Sequence, residues 1–542
     1  MEKSGTKFRK IILFLFPFLL GITVAFIFIQ PANKRTKGNL TKLEQVLQYI
    51  DHYYMDTVNN DKLMEAAITG MLQSLDPHST YANAVDNKIL QEQLNGSFDG
   101  IGVQFSIIND TVTVVAVISG GPADKVGIFT GDRIVLVDEE HFAGVGISNE
   151  DVLNRLRGAK NSKVKLGILR QGVPTVNHFE LIRDKIPTYT VDTYYMVQND
   201  IGYIRIDQFG ATTADEFSRA LFKLINLGMQ KLILDLRGNS GGYLDAAIAV
   251  CDELLPADDL IVYTEGLHAK SQSYLATKYG QFEKGTLVVL IDDFSASASE
   301  VVAGAVQDND RGWIVGRRSF GKGLVQQQFE LVDHSNIRLT TSRYHTPSGR
   351  SIQKQYINGV EAYSEEVLNR FQNGEMDSTA NVKFDEKLKH FTKKGRVVYG
   401  GGGIMPDYFV PIGRDSTLIP FNMIANSSVF TQFAFDYTTK NSKNLKSIYA
   451  TPEDFIKKMF VEESLCNELV KAYNVKNGAH PVVLNETSKK ELKLWLKAFV
   501  GKNLYQNKAF YQIINSSDKT VLKAISVIKG ENVIEKNNNK NN

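Results

Sequence analysis

The stretch Thr286-Leu-Val-Val-Leu-Ile291-Asp-Asp-Phe-Ser295-Ala-Ser297-Ala-Ser299-Glu300-Val-Val-Ala-Gly-Ala-Val306 decides the fold. Residues 286–291 are almost wholly apolar and read as a strand buried on both faces. Val301, Val302, Ala305 and Val306 then recur at helical spacing, so Ser297 stands at a strand-to-helix turn. The same alternation precedes it. Residues 201–206 read as a strand, 214–227 as a helix ended by Gly228, and 231–236 as a second buried strand; the loop Arg237-Gly-Asn239-Ser-Gly241-Gly242 leads to a helix over 244–255. Such βαβ order predicts a mostly parallel α/β core, spanning about 188–411.

Other segments sit outside that core. The 542 residues exceed what one hydrophobic core organises, so three or four domains are expected. Residues 11–29 form an uncharged apolar run behind Lys3, Lys7, Arg9 and Lys10. That length spans a bilayer, and the basic flank places residues 1–10 in the cytoplasm and the remainder outside it, on the periplasmic side of a bacterial inner membrane. Gln30-Pro31-Ala32-Asn33 is no Ala-x-Ala cleavage site, so an uncleaved anchor is expected. Residues 39–95 carry helical patterns interrupted at Asp76-Pro77. The 62 basic and 60 acidic residues nearly cancel, which gives no support for nucleic-acid binding. Cys251 and Cys466 lie in apolar helical patterns and are expected as buried free thiols.

From residue 96 to 187 the pattern turns to short strands: Val103, Phe105, Ile107, then Val112, Val114, Ala116 and Ile118, with turns at Asn109-Asp110 and Gly120-Gly121-Pro122. This segment resembles a PDZ domain. Gly100-Ile101-Gly102-Val103 matches that family's carboxylate-binding loop, and Gly121-Pro122-Ala123 and Gly131-Asp132 match its next helix and turn. Consecutive N–H groups beside glycines converge on a carboxylate, and an exposed strand edge pairs with an extended peptide. Proteins or peptides with exposed C-termini are the implied partners.

Chemistry concentrates around two residues. Ser297 is a candidate nucleophile, and Lys322, in Ser319-Phe320-Gly321-Lys322-Gly323, a candidate base, provided that an apolar pocket keeps its amine neutral. The first helical N–H groups after Ser297 and a glycine N–H at 241 or 242 point to an oxyanion hole made by Ala298 with Gly241 or Gly242. Serines at 295, 297 and 299 also suit a helix cap, and that reading stays open at this point. Gly316 to Lys322 has phosphate-loop spacing, but Gly323 replaces the magnesium-binding Ser or Thr and a strand, 324–329, replaces the helix. A Ser-His-Asp arrangement would draw on His78, His268 or His345, with no signature to choose among them. No His-Glu-x-x-His or Cys-x-x-Cys pattern occurs, so neither metal nor cofactor is expected.

The combination of Ser297 in Ser-Ala-Ser-Ala-Ser-Glu, Phe320-Gly-Lys322-Gly with Gln326, Asp235-Leu-Arg237 with Asn239-Ser-Gly-Gly242, Leu75-Asp76-Pro77-His78-Ser79, Tyr344 to Gln353, and Gly403-Ile-Met-Pro-Asp407 resembles the carboxyl-terminal processing peptidases, or tail-specific proteases. The resemblance covers about 40–410 and implies a serine endopeptidase with Ser297 as nucleophile, Lys322 as base and Gln326 orienting the lysine. Together these readings give an α/β multidomain protein: a parallel-sheet protease core with an inserted PDZ domain, a helical N-terminal segment and a mostly helical C-terminal domain, after the one transmembrane helix read at 11–29. Two features depart from the pattern. Residues 354–402 are an insertion with no evident role, and 412–535 form an added, mostly helical domain with helix starts at Thr451-Pro452 and Ser488-Lys-Lys-Glu491. That domain is expected to pack on the core or on a second subunit of a homo-oligomer, and 536–542 to be disordered. The competing class is an inert PDZ adaptor that keeps the protease fold only to hold partners.

Overall fold

A computed structural model describes residues 34–531 except Ser119, Gln171 and Ala479. The expected membrane span at 11–29 and the tail at 536–542 lie outside these residues; among the described residues no helix is long and apolar enough to cross a membrane. The chain divides into two compact units, residues 1–71 and 72–542. The first contains the helix Lys34–Tyr53 and most of the helix Asn60–Gln73.

The second unit is organised by a six-stranded sheet in the order Thr193–Gln198, Ile201–Arg205, Lys231–Asp235, Thr286–Ile291, Trp313–Gly316, Tyr408–Phe409. The first pair is an antiparallel hairpin and every later pairing is parallel. Both faces are covered, which is why these strands are nearly continuous in apolar residues. Helices Thr213–Asn226, Leu244–Asp252 and Ala298–Asp308 supply Phe217, Leu221, Val250, Cys251, Val302 and Val306 to one face. On the other, Val521, Ala524, Ile525 and Ile528 of the helix Lys519–Ile528 pack against Ile233, Val288, Leu290 and Val315. Each large side chain so buried contributes about 1.5–3 kcal/mol.

That last helix corrects the expected domain boundary. Helices between Ile419 and Ile514 build their own core around Phe430, Phe455, Leu469, Leu492 and Leu496, but 519–528 belongs to the protease sheet. A second correction concerns the helix Glu486–Tyr505. Its N-cap is Asn485, whose side chain accepts the Ser488 N–H at 2.9 Å, while the Ser488 hydroxyl donates to the Thr417 carbonyl at 2.6 Å. The helix at Thr451 starts as expected, with Asp454 N–H donating to the Thr451 hydroxyl. Both cysteines are buried and free.

A second, antiparallel sheet flanks the first: Thr80–Ala82, Asn336–His345, Leu260–Glu265 and Gln272–Leu275, with Leu324–Glu330 also on Asn336–His345. Because Thr80–Ala82 precedes the PDZ segment and pairs with a strand that follows it, the PDZ domain is an insertion within the core. Strands Ser97–Gly100 and Asp184–Pro187 pair at its neck. Its sheet runs Val103–Ile107, Val112–Val117, Arg133–Val137, Lys163–Leu169, Asn177–Ile182, which leaves Val103–Ile107 at an edge.

One buried cluster ties the last helix to the sheet. Asp235 is fully buried and accepts from the Tyr203 hydroxyl at 2.6 Å and from Arg237 Nη2 at 2.7 Å. Burial alone would push its carboxyl up, yet Arg237, then Arg205 and the Tyr203 hydroxyl, hold it down to about 2. Arg237 also reaches Asp518, the N-cap of 519–528, at 2.9 Å. Arg237→Ala removes the nearest charge partner of the buried Asp235, leaving Arg205 at 3.5 Å and the Tyr203 hydroxyl, and is expected to destabilise the core by about 3 kcal/mol. Asp518→Ala removes a cap and one partner and should cost about 1 kcal/mol. Denaturant unfolding of the two variants checks the ranking; equal losses contradict it.

Candidate active site

Ser297 occupies the turn between Thr286–Ile291 and Ala298–Asp308, at φ 56° and ψ −114°. Positive φ is unfavourable for a side chain with a Cβ, so the surroundings must hold it there. Its two serine neighbours do part of that. The Ser295 hydroxyl donates to the Leu236 carbonyl and that of Ser299 to the Asn239 carbonyl, each at 2.9 Å, which pins the turn to the end of strand Lys231–Asp235. Ser297 itself is the helix N-cap and lines an open cleft. The helix-cap position and the candidate nucleophile are thus the same residue.

The stronger restraint is Glu300, whose role sequence reasoning missed. It is fully buried, and its carboxylate accepts from Ser297 N at 2.9 Å, Lys322 N at 2.8 Å, Gly321 N at 2.7 Å and the Ser319 hydroxyl at 2.5 Å. One carboxylate thus fixes the backbones of the candidate nucleophile and base together. Burial raises its pKa, and the four donors oppose that. The Ser-x-x-Glu spacing of a capping box was the available signal for half of this; the link to the lysine loop is long-range.

The lysine loop is held from several sides. Phe320 N donates to the Ser295 carbonyl at 3.0 Å, Gly323 N to Gln353 Oε1 at 2.8 Å, and Lys354 N to the Gly321 carbonyl at 2.9 Å. The Tyr344 hydroxyl lies within hydrogen-bond reach of the carbonyls of both Ser297 and Lys322. Gly321 takes φ +93°, which disfavours any side chain, and a Cβ there would lie a tight 3.1 Å from Gly403 N. Lys322 is pushed down to about 8, first by burial and then by the like charge of Arg338, against the pull of Glu300 and Asp76.

The insertion, residues 354–402, backs this loop. Its helix Gly359–Gln372 brings Arg370, 2% exposed, to donate to the Ser319 carbonyl at 2.7 Å, and Glu366 to meet Lys354 at 3.2 Å. Lys354 Nζ lies 3.8 Å from the Phe320 ring centroid and 4.2 Å from that of Tyr363.

Ser297, Ala298, Gly241, Gly242, Lys322 and Gln326 all line one cleft of about 470 Å³. Asn239 locks the glycine loop to the serine turn. Its Oδ1 accepts from Gly241 N at 2.8 Å, its Nδ2 donates to the Ile206 carbonyl at 2.9 Å, and its carbonyl accepts from Ala296 N. A Cβ on Gly241 would lie 2.8 Å from that of Ser297, and one on Gly242, at φ +146°, only 2.0 Å from the Phe209 carbonyl oxygen. The Gly241 N–H is therefore already engaged, whereas those of Ala298 and Gly242 have no acceptor among the described residues.

Gln326 differs from expectation. Its side-chain amide donates to Thr340 Oγ1 at 3.5 Å, not to Lys322, and the strand register slips between Val325 and Gln326. Thr340 Oγ1 in turn donates to Asp76 Oδ1 at 3.1 Å. Asp76 accepts from His78 N, Ser79 N and the Ser79 hydroxyl, so the Leu-Asp-Pro-His-Ser motif staples Thr80–Ala82 beside the cleft. His78 Nε2 lies 2.7 Å from the Tyr363 hydroxyl, and burial followed by the Lys322 charge pushes it down to about 4. His268 is exposed and His345 stacks on Tyr263; none of these three histidines lines the cleft.

In the PDZ domain, Gly100, Ile101, Gly102 and Val103 line a groove of about 240 Å³ with Leu153, Leu156 and Arg157. The groove lies between the edge strand Val103–Ile107 and the helix Asn149–Leu156, and Gly102 takes φ +78°.

Comparison with known proteins matches these parts. Peptidase family S41 matches residues 200–362, a PDZ domain 100–177, the N-terminal domain of the activating protease CtpB 28–85, and a family of unknown function 421–506. The carboxy-terminal-processing protease of Bartonella bacilliformis is 36% identical over 326 residues, covering 59% of this chain and 74% of the relative. From Bacillus subtilis, the carboxy-terminal processing protease CtpA is 36% identical over 58% of this chain and 67% of its own, and CtpB 33% identical over 67% and 75%. The chain thus belongs to the carboxy-terminal processing proteases, serine-type peptidases of family S41 that carry a PDZ domain.

Proposed function

We propose that the protein is a membrane-anchored endopeptidase that acts outside the cytoplasm, holds the C-terminal carboxylate of a protein substrate in its PDZ groove, and cleaves near that end with Ser297 and Lys322. The observation that carries the reading is the buried Glu300 carboxylate, which binds the backbone N–H of both residues on one cleft wall. In this reading the neutral Lys322 amine takes the Ser297 proton as Oγ attacks the scissile carbonyl. The N–H groups of Ala298 and Gly242 receive the oxyanion, and Gly241 shapes the loop without donating. The Lys322 ammonium then protonates the leaving amine. Water, deprotonated by the same amine, releases the acyl group from Ser297 and restores both residues. The free edge of Val103–Ile107 supports strand addition by the tail, whose carboxylate meets the loop at Gly100–Gly102. Gln326 serves the base indirectly, through Thr340 and Asp76.

The tests are direct. Ser297→Ala and Lys322→Ala are each expected to abolish hydrolysis of an unstructured protein with an apolar C-terminus; retention of activity by either overturns the assignment, and an inactive native protein returns the adaptor reading. With Lys322 near 8 and only its neutral form active, kcat/KM should rise about tenfold per pH unit below pH 8 and level off above it. A profile flat from pH 6 to 9 contradicts the lysine base. For the anchor, the full chain is expected to stay in the membrane fraction after alkaline extraction and to be digested by protease added to spheroplasts. Release by alkali or protection from that protease refutes the placement.

A further inference from the structure

The cleft that holds Ser297 is lined by two cationic side chains, Lys322 and Arg338, and by no aspartate or glutamate. Lys322 must be neutral to act as a base, which leaves Arg338 as the standing charge. Arg338 lies on the strand Asn336–His345, opposite Gln328 on one side and Thr80 on the other, and is half-buried. Its guanidinium enters no ion pair and no side-chain hydrogen bond among the described residues. Arg311, which also lacks a carboxylate, is satisfied by the carbonyls of Leu254, Gly285 and Phe282, and other arginines of the core are ion-paired. Arg205, Arg237, Arg317, Arg318 and Arg350 each meet a carboxylate at 2.7 Å or less. A guanidinium presents five donors in a planar fork suited to bidentate carboxylate binding, and leaving it half-desolvated without a partner is unfavourable. An unpaired one facing a substrate cleft is therefore placed for an anion that arrives with the substrate.

We propose that Arg338 is a specificity residue that receives a carboxylate of the bound polypeptide beside the scissile bond, either an acidic side chain or a chain end lying within the cleft. Those are the anionic groups an unmodified polypeptide offers, and the cleft supplies no carboxylate of its own to compete. This site is separate from the PDZ groove, whose lining contains Arg157 but not Arg338. The inference rests on Ser297 and Lys322 being the reacting pair.

The test uses full-length protein in detergent micelles and matched peptides whose cleavage points are mapped by mass spectrometry. In one arm a glutamate is moved through positions flanking the scissile bond and compared with glutamine, with the C-terminal tail kept constant. In the other, peptides end shortly after the scissile bond as free acid or amide. The native protein is expected to favour the carboxylate member of at least one pair by about tenfold in kcat/KM. Arg338→Gln should bring that ratio near one, and Arg338→Lys should retain part of it. Each ratio is taken within one variant, so a reduced folded fraction does not change it. Equal use of acid and neutral peptides by the native protein, or an unchanged ratio in Arg338→Gln, overturns the proposal. If Ser297→Ala still cleaves these peptides, the catalytic reading falls first; if it is inactive while the Arg338→Gln ratio is unchanged, only the specificity role falls.

Discussion

A carboxylate with no exposed surface, Glu300, accepts hydrogen bonds from the backbones of both Ser297 and Lys322. Removing a carboxylate from water is costly, and here four donors offset that cost. The consequence is geometric. Ser297 comes from the end of a parallel strand and Lys322 from the loop that leaves the neighbouring strand, Trp313–Gly316, for the second sheet. Parallel pairing of the two strands brings their loops to one end of the sheet, and the common acceptor fixes the two backbones against each other there. Glu300 holds the turn at Ser297 and the glycine at 321 directly, while Asn239 brings Gly241 up to the same turn.

The additions to the core act on the same place. The insertion at 354–402 lays Arg370 and Lys354 against the loop that carries Lys322, so a segment with no evident role in the sequence forms part of the wall behind that loop. The helix Lys519–Ile528 closes the second face of the sheet and, through Asp518 and Arg237, reaches the Asp-Leu-Arg element that leads into the glycine loop. Buried ion pairs of this kind specify geometry more than they add stability, because the desolvation of each charge consumes most of the attraction.

The alternation of apolar strands and amphipathic helices made the core legible, since strands buried on both faces have no polar phase to misread. The PDZ segment was legible through its turns and short alternating strands. Lys322 stood out because Gly323 and a following strand break the phosphate-loop pattern, whereas Ser297 lies in a run that also suits a helix cap and was distinguished by its combination with the other motifs. What was hidden is tertiary. The Asn239 side chain takes up the Gly241 N–H, which narrows two candidate donors to Gly242, and no local pattern announces that bond. Gln326, expected to orient the lysine, bonds instead to Thr340 on the paired strand, where the register shifts. Asn485, not Ser488, caps its helix because Ser488 is drawn to the Thr417 carbonyl, far away in sequence. The last helix reads as part of the domain it follows until the uncovered face of the sheet is seen.

The central claim is that Glu300 sets nucleophile and base for one reaction at Ser297. The most direct measurement is acid-quenched, time-resolved peptide mapping by mass spectrometry during turnover of a slow ester substrate, on the native protein and on Glu300→Gln, which keeps the shape of the group but places an amide against its N–H donors. The native protein should accumulate an acyl group on the peptide containing Ser297. Glu300→Gln, with tail-peptide affinity unchanged, should acylate there about a hundredfold more slowly, as expected for a small misplacement of reacting groups. An adduct on any other residue, or native-rate acylation in Glu300→Gln, would contradict the account.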